Sequence, residues 1–459
     1  MKRQGIENRD EGAGRANRPA RKRPASAGPT LSAEEALAKT TPARRAAFEI
    51  LTLVSQNKGH SDELLHSAIT EALTPEDRNL ATALVMGVLR WQIALDARIR
   101  TLLQRPEQRL AEPVAIALRL GAFQLLHMDR IPPHAALSES VEVCRAAGQP
   151  HATGMVNAIL RKIAAAQRPS PRVFESTAAF AERLGHPRWL VERWVAEYGR
   201  DAAMAICEAG QREQSSSSLF SEVGGDLPVM DDGSRLVAEL AAWAMPEARR
   251  VWDCCAAPGG KTLILAHRLA LRLAHRLPCA EIHATDVSPK RAAQMQARLK
   301  RFAYAEGVRV SVADAAASAP ISEAGFDLIL CDVPCSGTGT LAANPEIRHR
   351  LVPEDLARQA TRQREILARA LRRLAPGGRL VYSTCSLEPE ENQQVVDAVS
   401  PVGEFRRVAV EGLLRGMAGL GILRDPGLLE SAVRGGALRT VPGVHPCDGF
   451  FAVVLERAL

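Results

Sequence analysis

Apolar side chains recur three and four positions apart from Pro42 to about Ile163. Phe48, Leu51 and Val54 fall on one face, as do Leu84, Val88 and Leu95 with Trp91. Ile116, Leu120 and Phe123 do the same with Leu126–His127, a spacing that predicts amphipathic helices. Pro75, Pro106, Pro113, Pro132-Pro133 and Pro150 punctuate them. The result is an all-helical domain of about 120 residues, with order expected to begin near Ser32, where Ser-Ala-Glu-Glu resembles a helix cap. From Val229 the pattern changes. Short apolar segments at Arg250–Cys255, Glu281–Thr285, Arg309–Val312, Leu328–Asp332 and Arg379–Ser383 read as strands. Helical stretches at 262–277, 289–303 and 354–374 separate them. This rhythm predicts a parallel α/β sheet with a ligand site at the carboxyl ends of its strands.

Residues 164–228 connect the two parts. Gly185–Leu190 leads into a helix carrying Trp194 and Tyr198, and Gln211–Ser218, which ends in four serines, reads as a loop. The string Leu265–Leu269 recurs at Leu273–Leu277, lengthening one helix by about two turns.

Composition narrows the class. The chain has 459 residues, 46% hydrophobic and 24% charged, as in a multidomain globular protein. No apolar run approaches the roughly 18 residues that span a bilayer, and no apolar segment follows the basic N-terminus as in an export signal. The nine cysteines are therefore expected to be reduced thiols in the cytoplasm. Net charge is +7, and residues 1–23 hold eight basic groups against three acidic ones. Residues 1–33, rich in Arg, Gly, Ala and Pro, are expected to be disordered. They read equally as a polyanion-binding arm or as a solvated tail.

Four strings carry candidate chemistry. Asp253-Cys254-Cys255-Ala256-Ala257-Pro258-Gly259-Gly260-Lys261-Thr262 lies between a strand and a helix, where small residues let a ligand approach the backbone. It is not a Walker loop, because the first glycine would fall at Cys255. Asp286, Asp314 and Asp332 end successive strands. Each alone serves equally well as a loop or cap residue, whereas the three together favour a nucleoside-containing cofactor. Finally, Asp332-Val333-Pro334-Cys335-Ser336-Gly337-Thr338-Gly339 and Tyr382-Ser383-Thr384-Cys385-Ser386-Leu387 place two thiols at strand ends. A thiolate is a strong nucleophile; small buried hydrophobes are the competing reading. Cys144, Cys207, Cys279 and Cys447 read as the latter or as incidental. A zinc site is disfavoured, since no Cys-x-x-Cys pair exists.

The strings DCCAAPGGKT, DVPCSGTGT and YSTCSLEPEEN, in that order, resemble the RNA cytosine-C5 methyltransferases of the NOP2/Sun type. The helical part, with Asp77-Arg78, Leu84–Arg90, Leu95-Asp96 and Val156–Arg161, resembles NusB-type RNA-binding domains. Their fusion is the arrangement of the bacterial Sun/Fmu group, which acts on 16S rRNA. The resemblance implies a basic tail (1–33), an all-α NusB-like domain (34–165), a linker with a shortened RNA-positioning region (166–228), and an α/β Rossmann-like methyltransferase domain (229–459). It also implies S-adenosyl-L-methionine bound by Cys255, Ala256, Ala257, Pro258, Gly259, Gly260 and Lys261, with Asp286 on the ribose, Asp314 on the adenine side and Asp332 between the cofactor and the target cytosine, binding the one and acting in catalysis on the other. Cys385 would be the nucleophile that adds to C6, and Cys335 the residue that helps release product. A monomer acting on RNA, with no membrane and no metal, is expected. The alternatives are a tRNA cytosine-C5 methyltransferase and a non-catalytic RNA-binding or assembly factor. One departure is that Glu208–Asp226 is short and serine-rich, where the family carries a small ferredoxin-like subdomain.

Overall fold

The computed structural model describes residues 39–166, 175–212, 219–221, 226–273, 280–320, 325–400 and 403–459. The basic tail, the cap at Ser32, Cys279, most of the serine loop and most of the second LAHRL repeat lie outside these residues.

The helical part is built on α1 (Pro42–Ser55), α2 (Pro75–Arg100), α3 (Glu112–His127), α4 (Pro133–Ala146) and α5 (Thr153–Ala165). A proline in the first turn starts four of the five, where its missing N–H costs no hydrogen bond. Ahead of α2, the Thr74 hydroxyl also caps the Asp77 amide at 3.2 Å. The predicted apolar faces meet in one core containing Ile50, Leu84, Val88, Leu118 and Leu160. By length and mean apolarity α2 is sufficient to cross a membrane, although no uninterrupted apolar run in it reaches that length. Here its apolar face lies in this core.

The connecting stretch holds three helices rather than one: α6 (Thr177–Arg183), α7 (Arg188–Tyr198) and α8 (Arg200–Ala209). Their core of Phe180, Leu190, Trp194 and Ile206 continues into Leu341, Leu387 and Val441. This packing places the connector directly against the loops that carry the two thiols.

The α/β part begins with α9 (Asp232–Ala244), capped by the Asp231 carboxylate on the Ser234 amide at 2.7 Å. It continues through β1 (Arg250–Asp253), α10 (Gly260–Leu273), β2 (Glu281–Asp286), α11 (Pro289–Leu299), β3 (Val308–Val312) and β4 (Phe326–Asp332). Next come α12 (Ile347–Arg350), α13 (Pro353–Arg373), β5 (Leu374–Thr384), α14 (Gln393–Val399) and β6 (Phe405–Val408). The described chain closes with α15 (Val410–Gly419), β7 (Val433–Arg434), β8 (Ala437–Arg439) and β9 (Phe451–Arg457). The sheet runs β3-β2-β1-β4-β5-β9-β8-β7, with β6 also on β9. The five strands read from sequence are parallel, as expected. The sheet as a whole is mixed, because β9 enters antiparallel to β5.

Alternation along the central strands feeds two cores. Val251, Leu328, Leu330 and Val381 face the layer of α9, α10, α11 and α15. Trp252, Ile329, Leu380 and Tyr382 face α13 and α14. Helices on both faces leave only the strand ends open, and the order reverses between β1 and β4, the usual crevice for a ligand.

Candidate active site

The turn after β1 bends at Gly259, whose φ of 91° suits glycine and strains other residues. The turn feeds Lys261 into the crevice. The Lys261 ammonium lies 2.8 Å from Asp332 Oδ2 and donates to Ser234 Oγ at 2.5 Å. Burial opposes its charge, but Asp332 beside it, with Asp231 and Cys385 within electrostatic reach, raises its pKa. Asp332 Oδ1 accepts from the Ser383 hydroxyl at 2.8 Å, which ties the end of β4 to β5.

Three more carboxylates end or follow neighbouring strands. Asp253 accepts from Thr262 at 2.7 Å through Oδ2, while its buried Oδ1 has no partner among the described residues. Burial pushes its pKa up to about 7. Asp286 accepts the Ser288 amide at 2.9 Å and lies 3.6 Å from Arg291. Asp314 accepts the Ala316 amide at 3.0 Å and lies 3.4 Å from Arg362. All three predicted aspartates thus sit at strand ends, joined by Asp253.

The two thiols meet. Cys335 Sγ and Cys385 Sγ are 3.4 Å apart, and both residues are half-buried. The hydrogen bond to Cys385, and then burial, raise the Cys335 pKa well above the ordinary thiol range, and either sulfur can be the donor of the contact. Cys254 and Cys331 form a second pair at 3.4 Å, fully buried. Burial pushes the thiols of Cys254 and Cys255 well up, which suits inert packing. Cys144 and Cys207 are buried and Cys447 half-buried.

The sequence reading gave no role to the residue that fixes this geometry. Glu391 is fully buried. Its Oε1 accepts from the Ser336 amide at 2.9 Å and the Gln363 amide group at 3.0 Å, and its Oε2 accepts from the hydroxyls of Ser336 and Ser386. One carboxylate thereby holds the neighbours of both cysteines. Thr384 donates to Asn392 Oδ1 and Asn392 donates to Ser386 O at 2.8 Å, completing the bracket. Glu391→Leu would leave these donors buried without their acceptor. The expected loss is about 3 kcal/mol or more, read from denaturant unfolding midpoints.

The loops are pinned from two further sides. The Gly339 amide donates to Cys385 O at 2.9 Å, and the Gly449 amide donates to Gly339 O at 2.9 Å. A Cβ at Gly339 would come within 2.2 Å of Gly449 O, so the close backbone approach requires glycine. From the connector, Trp194 Nε1 donates to Glu388 at 3.0 Å, Arg193 pairs with Glu388 at 2.8 Å, and Tyr198 donates to Leu387 O at 2.5 Å.

Comparison with known proteins gives a consistent placement. Residues 241–456 match the family model described as 16S rRNA methyltransferase RsmB/F, and residues 41–165 match the NusB family. A ribosomal RNA small subunit methyltransferase B of Xanthomonas campestris pv. campestris is 31% identical, the match covering 93% of this chain and all of that protein. A probable ribosomal RNA small subunit methyltransferase B of Bacillus subtilis is 28% identical over 91% of this chain and 99% of that protein. The crystal structure of PH0851 shares the fold, with a TM-score of 0.66 and 23% identity over 91% of this chain and 98% of that one.

Proposed function

The chain belongs to the RsmB/F family of S-adenosylmethionine-dependent rRNA methyltransferases, with a NusB domain ahead of the catalytic part, and from that premise we propose that it methylates C5 of a cytosine in 16S rRNA through a covalent bond from Cys385 to C6. In this reading residues 34–165 hold RNA and residues 229–459 perform the chemistry. The observation that carries it is the Cys335–Cys385 sulfur pair at 3.4 Å, beside a Lys261–Asp332 ion pair at the strand ends. A binding protein has no need of that arrangement.

The crevice fits S-adenosylmethionine. Asp253 offers a buried, unpartnered carboxylate oxygen, and Asp286, Asp314 and Asp332 lie at adjacent strand ends. Carboxylates gathered at the strand ends suit hydroxyl and ammonium groups and a sulfonium charge. Asp286 would hold the ribose, Asp314 the adenine side, and the turn from Cys255 to Lys261 the remainder. When bound, the cofactor supplies an electrophilic methyl group to the activated C5.

The chain's own residues do the rest. Cytosine C5 is a weak nucleophile. The Cys385 thiolate forms a bond to C6, and the C5=C6 electron pair moves toward C5 and N3, where hydrogen bonding from an acid aids addition; Asp332, which must first take up a proton to serve, or another acid fills that place. Lys261 places a positive charge within reach of the attacking sulfur and fixes Asp332. After methylation a base takes the C5 proton, C5=C6 re-forms, and the bond to Cys385 breaks. Cys335, 3.4 Å from Cys385 at rest, is positioned to act in this release once Cys385 is joined to C6, as the thiolate that takes the C5 proton after giving its own to solvent. The cytosine must leave any stack to reach the site, at a cost of a few kcal/mol.

The test is to incubate the protein with 16S rRNA and methyl-labelled donor, digest the RNA, and identify the labelled nucleoside. Bisulfite sequencing of rRNA and tRNA from cells with and without the protein locates it. Label at 5-methylcytidine in 16S rRNA is expected; label on an exocyclic nitrogen, or only in tRNA, overturns the reading. Asp286→Ala should raise the KM for the methyl donor about tenfold or more, by the worth of a charged hydrogen bond, with kcat at saturating donor little changed.

A further inference from the structure

Arg348 is the most deeply buried cation at the junction between the helical and α/β parts, only 2% exposed, and it has no carboxylate partner among the described residues. Its two terminal nitrogens donate to four backbone carbonyls instead, while the buried Nε has no partner among the described residues. Nη1 donates to Arg90 O at 2.9 Å and Gly185 O at 3.1 Å, and Nη2 donates to Gly210 O at 3.1 Å and Leu341 O at 3.2 Å. These carbonyls belong to three separate bodies. Arg90 lies in α2 of the helical domain, Gly185 and Gly210 follow the ends of α6 and α8 in the connector, and Leu341 belongs to the catalytic part. The ends of α6 and α8 concentrate partial negative charge, which favours a cation there.

A buried charge without a counter-charge is costly, so this residue is a poor choice for stability alone. Its planar fork, with five donors in fixed directions, is suited to holding several chain segments in register. The same segment is held a second time. Arg90 Nη2 donates to Ala342 O at 2.9 Å, and Glu346 accepts the Ser61 amide at 2.8 Å from the helical domain. His349 Nε2 lies 2.6 Å from Leu89 O; burial lowers its pKa to about 4, so the ring is neutral with its proton on that nitrogen.

Leu341 ends the turn that begins at Cys335. Within that turn the Gly339 amide donates to Cys385 O, and Thr338 Oγ1 accepts the Leu387 amide at 2.9 Å. We propose that Arg348 is a positioning residue that makes the spacing of Cys335 and Cys385 depend on the docked helical domain. The helical domain then does more than hold RNA: its seating sets the register of the two thiols. This inference rests on the proposed roles of those cysteines.

The experiment uses the full chain with Arg348→Met and Arg348→Lys, each alone and in a Cys335→Ala background. Steady-state kinetics, donor binding and the rate of covalent protein–RNA adduct formation are measured. Arg348→Met should lower kcat about tenfold or more, in line with the cost of misplacing reacting groups, and slow adduct formation in parallel. Donor affinity should stay within about twofold, because among the described residues Arg348 hydrogen-bonds to Arg90, Gly185, Gly210 and Leu341 and to none in the turn from Cys255 to Lys261. Arg348→Lys, which keeps a charged donor, should recover part of the rate. Should Arg348→Met fail to fold, Arg90→Met removes the reciprocal bond to Ala342 and should lower kcat about threefold on the same grounds. Unchanged kcat and adduct rate overturn the proposal. So does a rise only in the KM for RNA, which would make Arg348 a tether of the RNA-holding part, or a loss of donor affinity together with kcat, which would make it merely structural. If Cys335→Ala alone forms no adduct and Cys385→Ser still turns over, the covalent reading itself has failed.

Discussion

A Cys385→Ser protein is expected to transfer no measurable methyl group to RNA while binding the methyl donor as the parent does. The hydroxyl keeps the shape of the side chain, but it is far less acidic than a thiol, so almost none of it is present as the nucleophilic anion. The loops should survive, since the bonds that hold position 385 run through its backbone: the carbonyl of Cys385 accepts from Gly339, and its neighbour Ser386 is held by Glu391 and Thr384. Loss of the attacking atom in other enzymes of covalent mechanism costs several orders of magnitude, so a drop of about 10³-fold or more in kcat is the expected reading. Donor binding, followed by calorimetry, separates this from collapse of the crevice. Retained turnover by Cys385→Ser would remove the covalent step from the mechanism.

Cys335→Ala is expected to give the opposite phenotype, a protein that reacts once and stays attached. Addition to C6 needs only Cys385, whereas regeneration of the aromatic ring needs the C5 proton removed and the sulfur expelled. With its neighbour's sulfur gone, Cys385 should accumulate on the RNA as a band that survives denaturing electrophoresis and disappears on nuclease digestion. The double variant Cys335→Ala with Cys385→Ser should show no such band. A freely turning-over Cys335→Ala protein would leave Cys335 a packing residue, and the 3.4 Å contact would then be incidental to release.

Where the candidate site depends on contiguous residues, their placement in the fold was legible in the sequence. The turn DCCAAPGGKT, the aspartates at strand ends and the two cysteine strings are each local, and a strand–turn–residue pattern fixes where a local string lies in a parallel sheet. The first five strands and the helical domain were legible for the same reason: their apolar periods are long and regular. The C-terminal strands were not. β6, β7 and β8 have four, two and three residues, too few to show a period; β7 and β8 pair with each other across a short turn, and β6 pairs with the distant β9. Glu391 was hidden because glutamates at 388, 390 and 391 look like a solvated turn; only the fold shows that the last has four donors around it. The connector was also misread. Trp194 and Tyr198 do lie on a helix, but their hydroxyl and indole protons reach the segment after Cys385, about 190 positions onward, and no local pattern records such a contact.

β9 has a consequence for how the molecule is made. The last strand in chain order occupies an interior place in the sheet, pairing along its length with β5 on one side and with β6 and β8 on the other. The segment leading into it, Asp448-Gly449-Phe450, packs against the Gly339 turn. Synthesis must therefore pass Arg457 before the sheet can zip shut, and until then β5 presents a bare edge of the kind that invites aggregation. A nascent chain paused upstream of Phe451 carries both sulfurs yet lacks the wall that sets their turn, so the spacing of the pair is fixed only once β9 has been made.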